Sequence, residues 1–228
     1  MEPNADICSM QVLLTAATSF EIKPTLDYLE KNDMGEGNRL NTLVTGAGML
    51  SCCFHLASQV LAHKPDLIIQ AGVAGSFGTC QPGEVLVVDK DTIGDQGAWE
   101  SDHFRSLFDL NLADKNGHPY VDGFLQNPHA DLLARAELPL VSAITVNEIS
   151  TEIKRIEWLR KNLSPELESM EGAALHYVCL QLNIPFLQLR SVSNRVGERD
   201  KGKWKMPEAI TNLNEQLILL VKKLMSSS

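Results

Sequence analysis

Short apolar runs alternate along this chain with longer segments in which apolar and polar positions follow a helical period. The short runs predict buried strands, and the periodic segments predict amphipathic helices. The predicted strands are Gln11–Thr15, Leu40–Thr45, Asp66–Ala71, Glu84–Asp89, Leu138–Thr145, Glu166–Met170 and Pro185–Val192. The predicted helices are Glu21–Lys31, Met49–His63, Glu152–Asn162, Gly172–Leu182 and Pro207–Leu224. Strands that alternate with helices are typical of an α/β fold.

Two polar clusters lie where predicted strands end. The first is SMEGAA at Ser169–Ala174, and the second is RSVSN at Arg190–Asn194. Because a helix is predicted between them, we expect both clusters at one edge of a parallel sheet, where open α/β folds bind ligands. A carboxylate followed by small residues can approach a ligand closely, and the Asn194 amide carries a donor and an acceptor. The two clusters together indicate a nucleoside site.

The start of the first helix places another acid beside this edge. Ser19 is the expected N-cap, and Pro24 falls in the opening turn, where the missing amide proton costs little. Glu21 is therefore expected at the junction between strand and helix. The segment from Thr92 to Ala136 has the least regular pattern and is predicted to run over the sheet, where long loops cover sites or join subunits.

Glycines cluster after two of the predicted strands. They occupy Gly46–Gly48 and Gly72–Gly78, and neither run has the spacing of a dinucleotide-binding fingerprint. Tight turns are one interpretation. The other is that bare backbone amides in these turns hold an anion or a water molecule next to a sugar. The sequence alone leaves both open.

Composition narrows the classes of function. The 228 residues are 44% hydrophobic with a net charge of -9, which indicates one domain over residues 1–228 and disfavours nucleic acid as a partner. No run approaches the roughly 20 apolar residues of a membrane span, and no leader pattern is present, so we expect a cytoplasmic protein without membrane contact. Five cysteines without CxxC spacing argue against disulfides and against a zinc site.

These motifs carry a resemblance to a known family. Glu21, the AGVAGSFG run at Ala71–Gly78, SMEGAA and RSVSN occur in the order found in the nucleoside phosphorylase and nucleosidase superfamily. The resemblance extends from Val12 to Leu224 and is strongest to the hydrolase branch. It implies a three-layer α/β/α sandwich around a central mixed sheet, no metal or organic cofactor, and a homo-oligomer in which a neighbour helps to close the pocket.

The resemblance also implies roles for the acids. Glu171 matches the glutamate that holds the 2′ and 3′ hydroxyls of ribose and favours the cationic sugar of the transition state, with Met170 against the sugar face. Glu21 matches the glutamate that orients and deprotonates the attacking water. The superfamily's phosphorylases usually place a phosphate-binding arginine in the loop matching Ala71–Gly78, which has none here, so hydrolysis is favoured over phosphorolysis.

Asn194 decides the expected base. The methylthioadenosine branch has an aspartate at this position, whereas an amide can donate to O6 and accept from a protonated N7. This favours a 6-oxopurine such as hypoxanthine as the leaving group. Ser193 is expected to shape the turn and to touch the base or Asn194. Further residues predicted to line the base pocket or the 5′ pocket are Ser76, Phe77, Phe104 and Val146.

Within the hydrolase branch, Asn194 and the tail at residues 195–209 resemble the futalosine hydrolases. These release hypoxanthine from futalosine on a route to menaquinone, and futalosine carries a benzoate on its 5′ side. Candidates to bind that carboxylate are Arg195, Arg199, Lys201, Lys203, His103 and Arg105. Three alternatives remain: a methylthioadenosine/S-adenosylhomocysteine nucleosidase, a purine nucleoside phosphorylase, and a binding module without catalysis. The pairing of Glu21 with Glu171 weighs against the binding module.

Overall fold

The structure, a computed structural model, describes residues 10–32, 39–101 and 103–226. Its strands are β1 (Gln11–Ala16), β2 (Arg39–Val44), β3 (Leu67–Ser76), β4 (Val85–Ile93), β5 (Gly97–Glu100), β6 (His103–Ser106), β7 (Leu125–Gln126), β8 (Leu140–Thr145), β9 (Leu167–Ser169) and β10 (Phe186–Arg195). Its α-helices are α1 (Ser19–Leu29), α2 (Met49–Ala62), α3 (Ala130–Ala136), α4 (Ile153–Leu163), α5 (Gly172–Leu182) and α6 (Met206–Ser226).

Every strand and helix predicted from the hydrophobic pattern is present, and α5 begins and ends at the predicted residues. The prediction missed β5, β6, β7 and α3, which all lie in the irregular segment. The N-cap of α1 is Thr18 and not Ser19 as predicted, because Thr18 is the last residue with extended backbone. Cys8 lies outside the described residues.

The main sheet is mixed and partly closed. Its strand order is β10-β4-β8-β9-β3-β1-β2, and β10 also pairs with β3, so β3, β10, β4, β8 and β9 form a closed ring. The α/β class and the mixed sheet are confirmed, whereas the expected sandwich did not include this closure. The assumption of a shared parallel edge was wrong, because β10 is parallel to β3 and β9 is antiparallel to it.

Helices cover both faces of the sheet beside the ring. Alternate residues of β1 point to opposite sides: Val12 and Leu14 pack in a cluster with α1 and α6, while Leu13 packs with α2 and α5. Apolar side chains from all five strands of the ring pack together, including Ala74, Leu86, Ala143, Leu167 and Val192. None of the helices in the described part of the chain is long and apolar enough to cross a bilayer.

Candidate active site

A cavity of about 300 Å³ opens where β3, β9 and β10 meet the first turns of α1 and α5. Five of the nine predicted catalytic and substrate-binding residues line it: Glu21, Met170, Glu171, Ser193 and Asn194. They come from three separate parts of the chain. The closed ring brings these parts together, although the strands that carry the two motifs run in opposite directions relative to β3.

Glu21 is buried at the third position of α1, and its carboxylate holds that helix against β3. Its Oε2 accepts hydrogen bonds from the Thr18 amide at 3.1 Å and the Thr18 hydroxyl at 2.9 Å. Its Oε1 accepts from the Val73 amide at 3.1 Å. A carboxylate fixed by three donors has a defined orientation and still has room for further donors. Glu21 can therefore present an oxygen to a molecule in the cavity.

Glu171 is the N-cap residue of α5 and joins two helix starts. Its Oε1 accepts from the Gly48 amide at 2.9 Å, at the beginning of α2. Its Oε2 lies 3.8 Å from Nη1 of Arg190. Helix N-termini and a nearby guanidinium both stabilise a negative charge. This arrangement fixes the Glu171 carboxylate at the cavity wall.

Arg190 lies behind both acids, and its role was not predicted from the sequence. It is only 1% exposed, and its Nη2 donates to Oε1 of Gln70 at 2.7 Å. A side chain at Gly72 would come within 3.0 Å of Oε1 of Glu21 and would clash with Nη1 of Arg190, so only glycine allows this approach. Because a buried guanidinium needs negative partners, an arginine inside the apolar run of β10 was the signal for this role.

A polar cluster beneath α5 supports the position of Glu171. The Thr145 hydroxyl accepts from the Ala173 amide at 2.7 Å and donates to Oδ1 of Asp91 at 2.9 Å. Gln188 donates to the other carboxylate oxygen of Asp91 at 3.3 Å. Burial raises the pKa of Asp91 to about 6, although these hydrogen bonds oppose that shift. The cluster ties the first turn of α5 to the strands of the ring.

Asn194 follows a bulge in β10. The pairing with β3 shifts between Val192 and Asn194, and such bulges re-aim side chains at sites. Ser193 donates its hydroxyl to Oδ1 of Asn194 at 2.7 Å and lies 3.2 Å from the Ala74 carbonyl. Nδ2 of Asn194 donates to the Arg195 carbonyl at 2.9 Å, which leaves its second proton for a ligand.

Four residues predicted to line the site lie elsewhere: Ser76, Phe77, Phe104 and Val146. Ser76 donates its hydroxyl to the Cys80 carbonyl at 2.8 Å and so holds a turn. Phe77 and Val146 pack in an apolar cluster with α4, where burial of their side chains is favourable. Phe104 packs its ring against Trp99 and Trp158. The prediction that these four line the cavity is therefore corrected.

The mouth of the cavity is aromatic and carries one cation. Of the six cations considered for a 5′ carboxylate, Arg199 lines the cavity. Its guanidinium carbon lies 5.7 Å from the ring centre of Trp204. Phe20, Ile149 and Met206 lie on the same cavity. This part of the wall suits an apolar group that ends in a negative charge.

A comparison with protein families connects this geometry to known proteins. The family model of the phosphorylase superfamily matches residues 34–225. The chain belongs to the phosphorylase superfamily. Within the superfamily, a futalosine hydrolase of Acidothermus cellulolyticus is 28% identical over 218 residues, which cover 92% of this chain and 88% of that protein.

Solved structures of this superfamily share the fold. A futalosine hydrolase of Helicobacter pylori superposes with a TM-score of 0.72 at 18% identity, covering 96% of this chain and 97% of that one. An S-adenosylhomocysteine nucleosidase of Streptococcus pyogenes, in complex with 5-methylthiotubericidin, gives a TM-score of 0.78 at 18% identity, covering 96% and 99%. At such identities the likeness shows the fold, so substrate choice must be argued from the cavity.

Proposed function

We propose that this protein hydrolyses the N-ribosidic bond of a 6-oxopurine nucleoside, with futalosine as the substrate and hypoxanthine as the released base. The observation that carries the proposal is the placement of Glu21, Glu171 and Asn194 on one cavity. A relative named futalosine hydrolase, similar over most of both chains, supports the choice of substrate. The product would then belong to the route to menaquinone.

The mechanism assigns one task to each of the three side chains. Glu171 accepts from the ribose hydroxyls, and its charge stabilises the cationic sugar that forms as the glycosidic bond breaks. Asn194 stabilises the departing base through O6 and N7. Glu21 orients the water that attacks the anomeric carbon and takes its proton. Met170 packs against the sugar.

The charges around the cavity favour water over phosphate as the nucleophile. Four carboxylates line it, those of Glu21, Glu168, Glu171 and Glu198, against the single guanidinium of Arg199 at the mouth. A phosphate dianion would be repelled by these acids. We expect hypoxanthine release to proceed at an unchanged rate when phosphate is removed from the buffer. If base release strictly required phosphate and the sugar product carried a phosphate on its anomeric carbon, the protein would be a phosphorylase instead.

Three parallel incubations test the proposed substrate. Futalosine, inosine and methylthioadenosine are each incubated with the protein in phosphate-free buffer, and the released base is identified by chromatography. We expect hypoxanthine from futalosine. Adenine from methylthioadenosine alone would identify a methylthioadenosine nucleosidase, and ligand binding without any released base would identify a binding module.

The Asn194→Asp variant is expected to shift the preference toward adenine nucleosides. A carboxylate cannot donate to O6 of hypoxanthine, and a mispaired polar group costs about 1 to 3 kcal/mol, which is roughly 5- to 150-fold in kcat/KM. The measurement is kcat/KM for inosine and adenosine. Asn212→Asp is the matched control, because Asn212 lies outside the cavity and donates to the Gly83 carbonyl. Equal losses on both nucleosides would contradict the assigned role of Asn194.

Arg199 is proposed to bind the carboxylate of the 5′ substituent. Since this arginine is exposed, we expect the Arg199→Gln variant to raise KM for futalosine by about 5- to 10-fold. KM for inosine, which has no carboxylate, should stay unchanged. Lys201→Gln serves as the control, because Lys201 is exposed in the same tail but does not line the cavity. An equal rise of KM for both nucleosides would place the carboxylate elsewhere.

A second copy of this chain is proposed to cover part of the cavity mouth. Large apolar side chains are exposed on the outer face of α2, namely Leu50, Phe54 and Leu61, and Phe20 is exposed on the cavity itself. Apolar surface of this kind is typical of an interface between subunits. Sedimentation of the purified protein would reveal the oligomer. The cytoplasmic location stays a prediction from the composition of the sequence.

A further inference from the structure

A buried acid lies below the start of α5, and the mechanism above gives it no task. Asp91 of β4 is fully buried and does not line the cavity. A side chain at Gly172 would clash with the carboxylate of Asp91 and with the amide of Gln188, so only glycine allows α5 to begin this close to the acid. Glu171, which is assigned to the ribose, directly precedes Gly172. The first turn of α5 therefore connects Asp91 with the sugar site.

Two hydroxyl groups link Asp91 to this turn. A hydroxyl has a single proton, and Thr145 donates its proton to Asp91. Thr145 is therefore an acceptor toward the Ala173 amide at 2.7 Å and toward the Ser169 hydroxyl at 3.5 Å. Ser169 lies on the cavity wall and accepts from the Gly172 amide at 3.3 Å. In this way Asp91 sets the direction of the hydrogen bonds that hold the first two amides of α5, which have no partners within the helix.

The hydrogen bonds around Asp91 match its ionised form. An ionised carboxylate only accepts hydrogen bonds, whereas a protonated one must also donate. A proton on either oxygen of Asp91 would face a donor, the Thr145 hydroxyl on one side or the side-chain amide of Gln188 on the other. Hydrogen bonds to a charged acceptor are also about twice as strong as neutral ones. The negative charge therefore strengthens the hold on the first turn of α5.

We propose that Asp91 is a positioning residue whose ionised carboxylate, acting through the Thr145 hydroxyl, holds the first turn of α5 and with it the sugar-binding carboxylate of Glu171. The inference rests on the proposed function and deepens it, because it names a residue outside the cavity that sets the geometry of the ribose site. Loss of the charge loosens the turn and displaces Glu171 relative to the sugar. A displacement of about 1 Å at a catalytic group can lower the rate by about 100-fold.

Asp91 is the group of this cluster that changes its charge near neutral pH. The titratable side chains packed around it are Arg190 of β10 and His176 of α5, while β7 and β8 contain none. Burial raises the pKa of Asp91 to about 6. Burial lowers the pKa of His176 to about 4, so His176 is already neutral where Asp91 ionises, and an arginine keeps its charge throughout. We therefore expect kcat to rise with pH through about 6 as Asp91 ionises.

The Asp91→Asn variant tests the charge, because asparagine keeps the shape of the side chain and an oxygen that can accept from Thr145. We expect kcat for hypoxanthine release to fall about 10-fold at about pH 7.5, and the rise of kcat through pH 6 to disappear from the profile. The affinity for free hypoxanthine, measured by calorimetric titration, should stay unchanged. Asp89→Asn is the matched control, because Asp89 is a half-buried acid of the same strand that does not line the cavity.

Thermal denaturation separates this role from a merely structural one. Folding raises the pKa of Asp91, so its ionisation costs stability, and this cost grows as pH rises through about 6. The melting temperature of Asp91→Asn should therefore increase relative to that of the unmodified protein between about pH 4 and 7, while kcat is lower. If the variant melts at a lower temperature at every pH and keeps the rise of kcat through pH 6, Asp91 is a structural residue only and the inference is overturned.

Substitutions of Thr145 give a second test that leaves Asp91 in place. Thr145→Val removes the hydroxyl, so we expect kcat to fall about 100-fold, whereas Thr145→Ser keeps the hydroxyl and should restore most of the activity. Hydrogen exchange of the Ala173 amide needs no substrate and should become about 10-fold faster in Thr145→Val and in Asp91→Asn. Exchange and turnover of Thr145→Val at the rates of the unmodified protein would overturn the inference. If the unmodified protein releases no hypoxanthine from futalosine, the proposed function fails instead, and the exchange rates still decide whether Asp91 holds the turn.

Discussion

The Glu171→Gln variant is expected to lose about 10² to 10³-fold in kcat for hypoxanthine release from futalosine. The substitution keeps the shape of the side chain and an oxygen that can accept from the Gly48 amide. It removes the negative charge that stabilises the cationic sugar, and that charge matters most in the transition state. Steady-state kinetics with chromatographic detection of hypoxanthine measures the effect.

The same substitution is expected to lower stability, because Glu171 is an acidic neighbour of the buried Arg190. Weakening that pairing should cost about 1 to 3 kcal/mol in the free energy of unfolding, which thermal denaturation can follow. Glu166→Gln is the control, since Glu166 also accepts from a backbone amide, that of Ser142, but does not line the cavity. A Glu171→Gln enzyme with unchanged kcat would mean that another group stabilises the sugar.

The regular part of the fold could be predicted because local patterns determine it. Helix α5 begins at Gly172, directly after Glu171, and ends at Leu182. The next residue, Asn183, adopts the left-handed conformation that asparagine tolerates, so both bounds follow from nearby residues. The closed ring could not be predicted in this way. It depends on β10 pairing with both β3 and β4, and the register of distant strands leaves no periodic signal in one sequence.

The polar part of the site was predictable to a greater extent than its apolar part. Glu171 and Asn194 are polar residues directly after or within apolar strands, and such residues are buried only when they have partners. Phe77 and Val146 are apolar, and their sequence context indicates burial without saying which space they fill. The structure places both under α4.

Two further charged residues needed the structure before their positions made sense. Arg190 is part of the RSVSN motif, but its contact with Glu171 depends on β10 lying beside β3. The sequence does not predict that Glu168 is buried, because an acid in a predicted strand is equally consistent with an exposed face. The register that sets it across Gly75 from Asn194 is a property of the ring.

The Glu21→Gln variant separates catalysis from binding most clearly. Glutamine is too weak a base to take a proton from water, so kcat should fall by about 10² to 10⁴-fold. Because Glu21 contacts Thr18 and Val73 and is not assigned to the base, the affinity for hypoxanthine should stay unchanged. Single-turnover kinetics and calorimetric titration with hypoxanthine measure the two quantities.

The Glu21→Gln result also discriminates between the acids of the cavity. If turnover persists while hypoxanthine binding is intact, the water must be activated by Glu168 or Glu198, the other acids there that lack a sugar role. If binding and turnover both fail, Glu21 is needed to hold α1 against β3, and Thr18→Val, which removes one of its hydrogen bonds, should then weaken binding as well. Loss of turnover with binding retained is the outcome that a water-activating carboxylate requires.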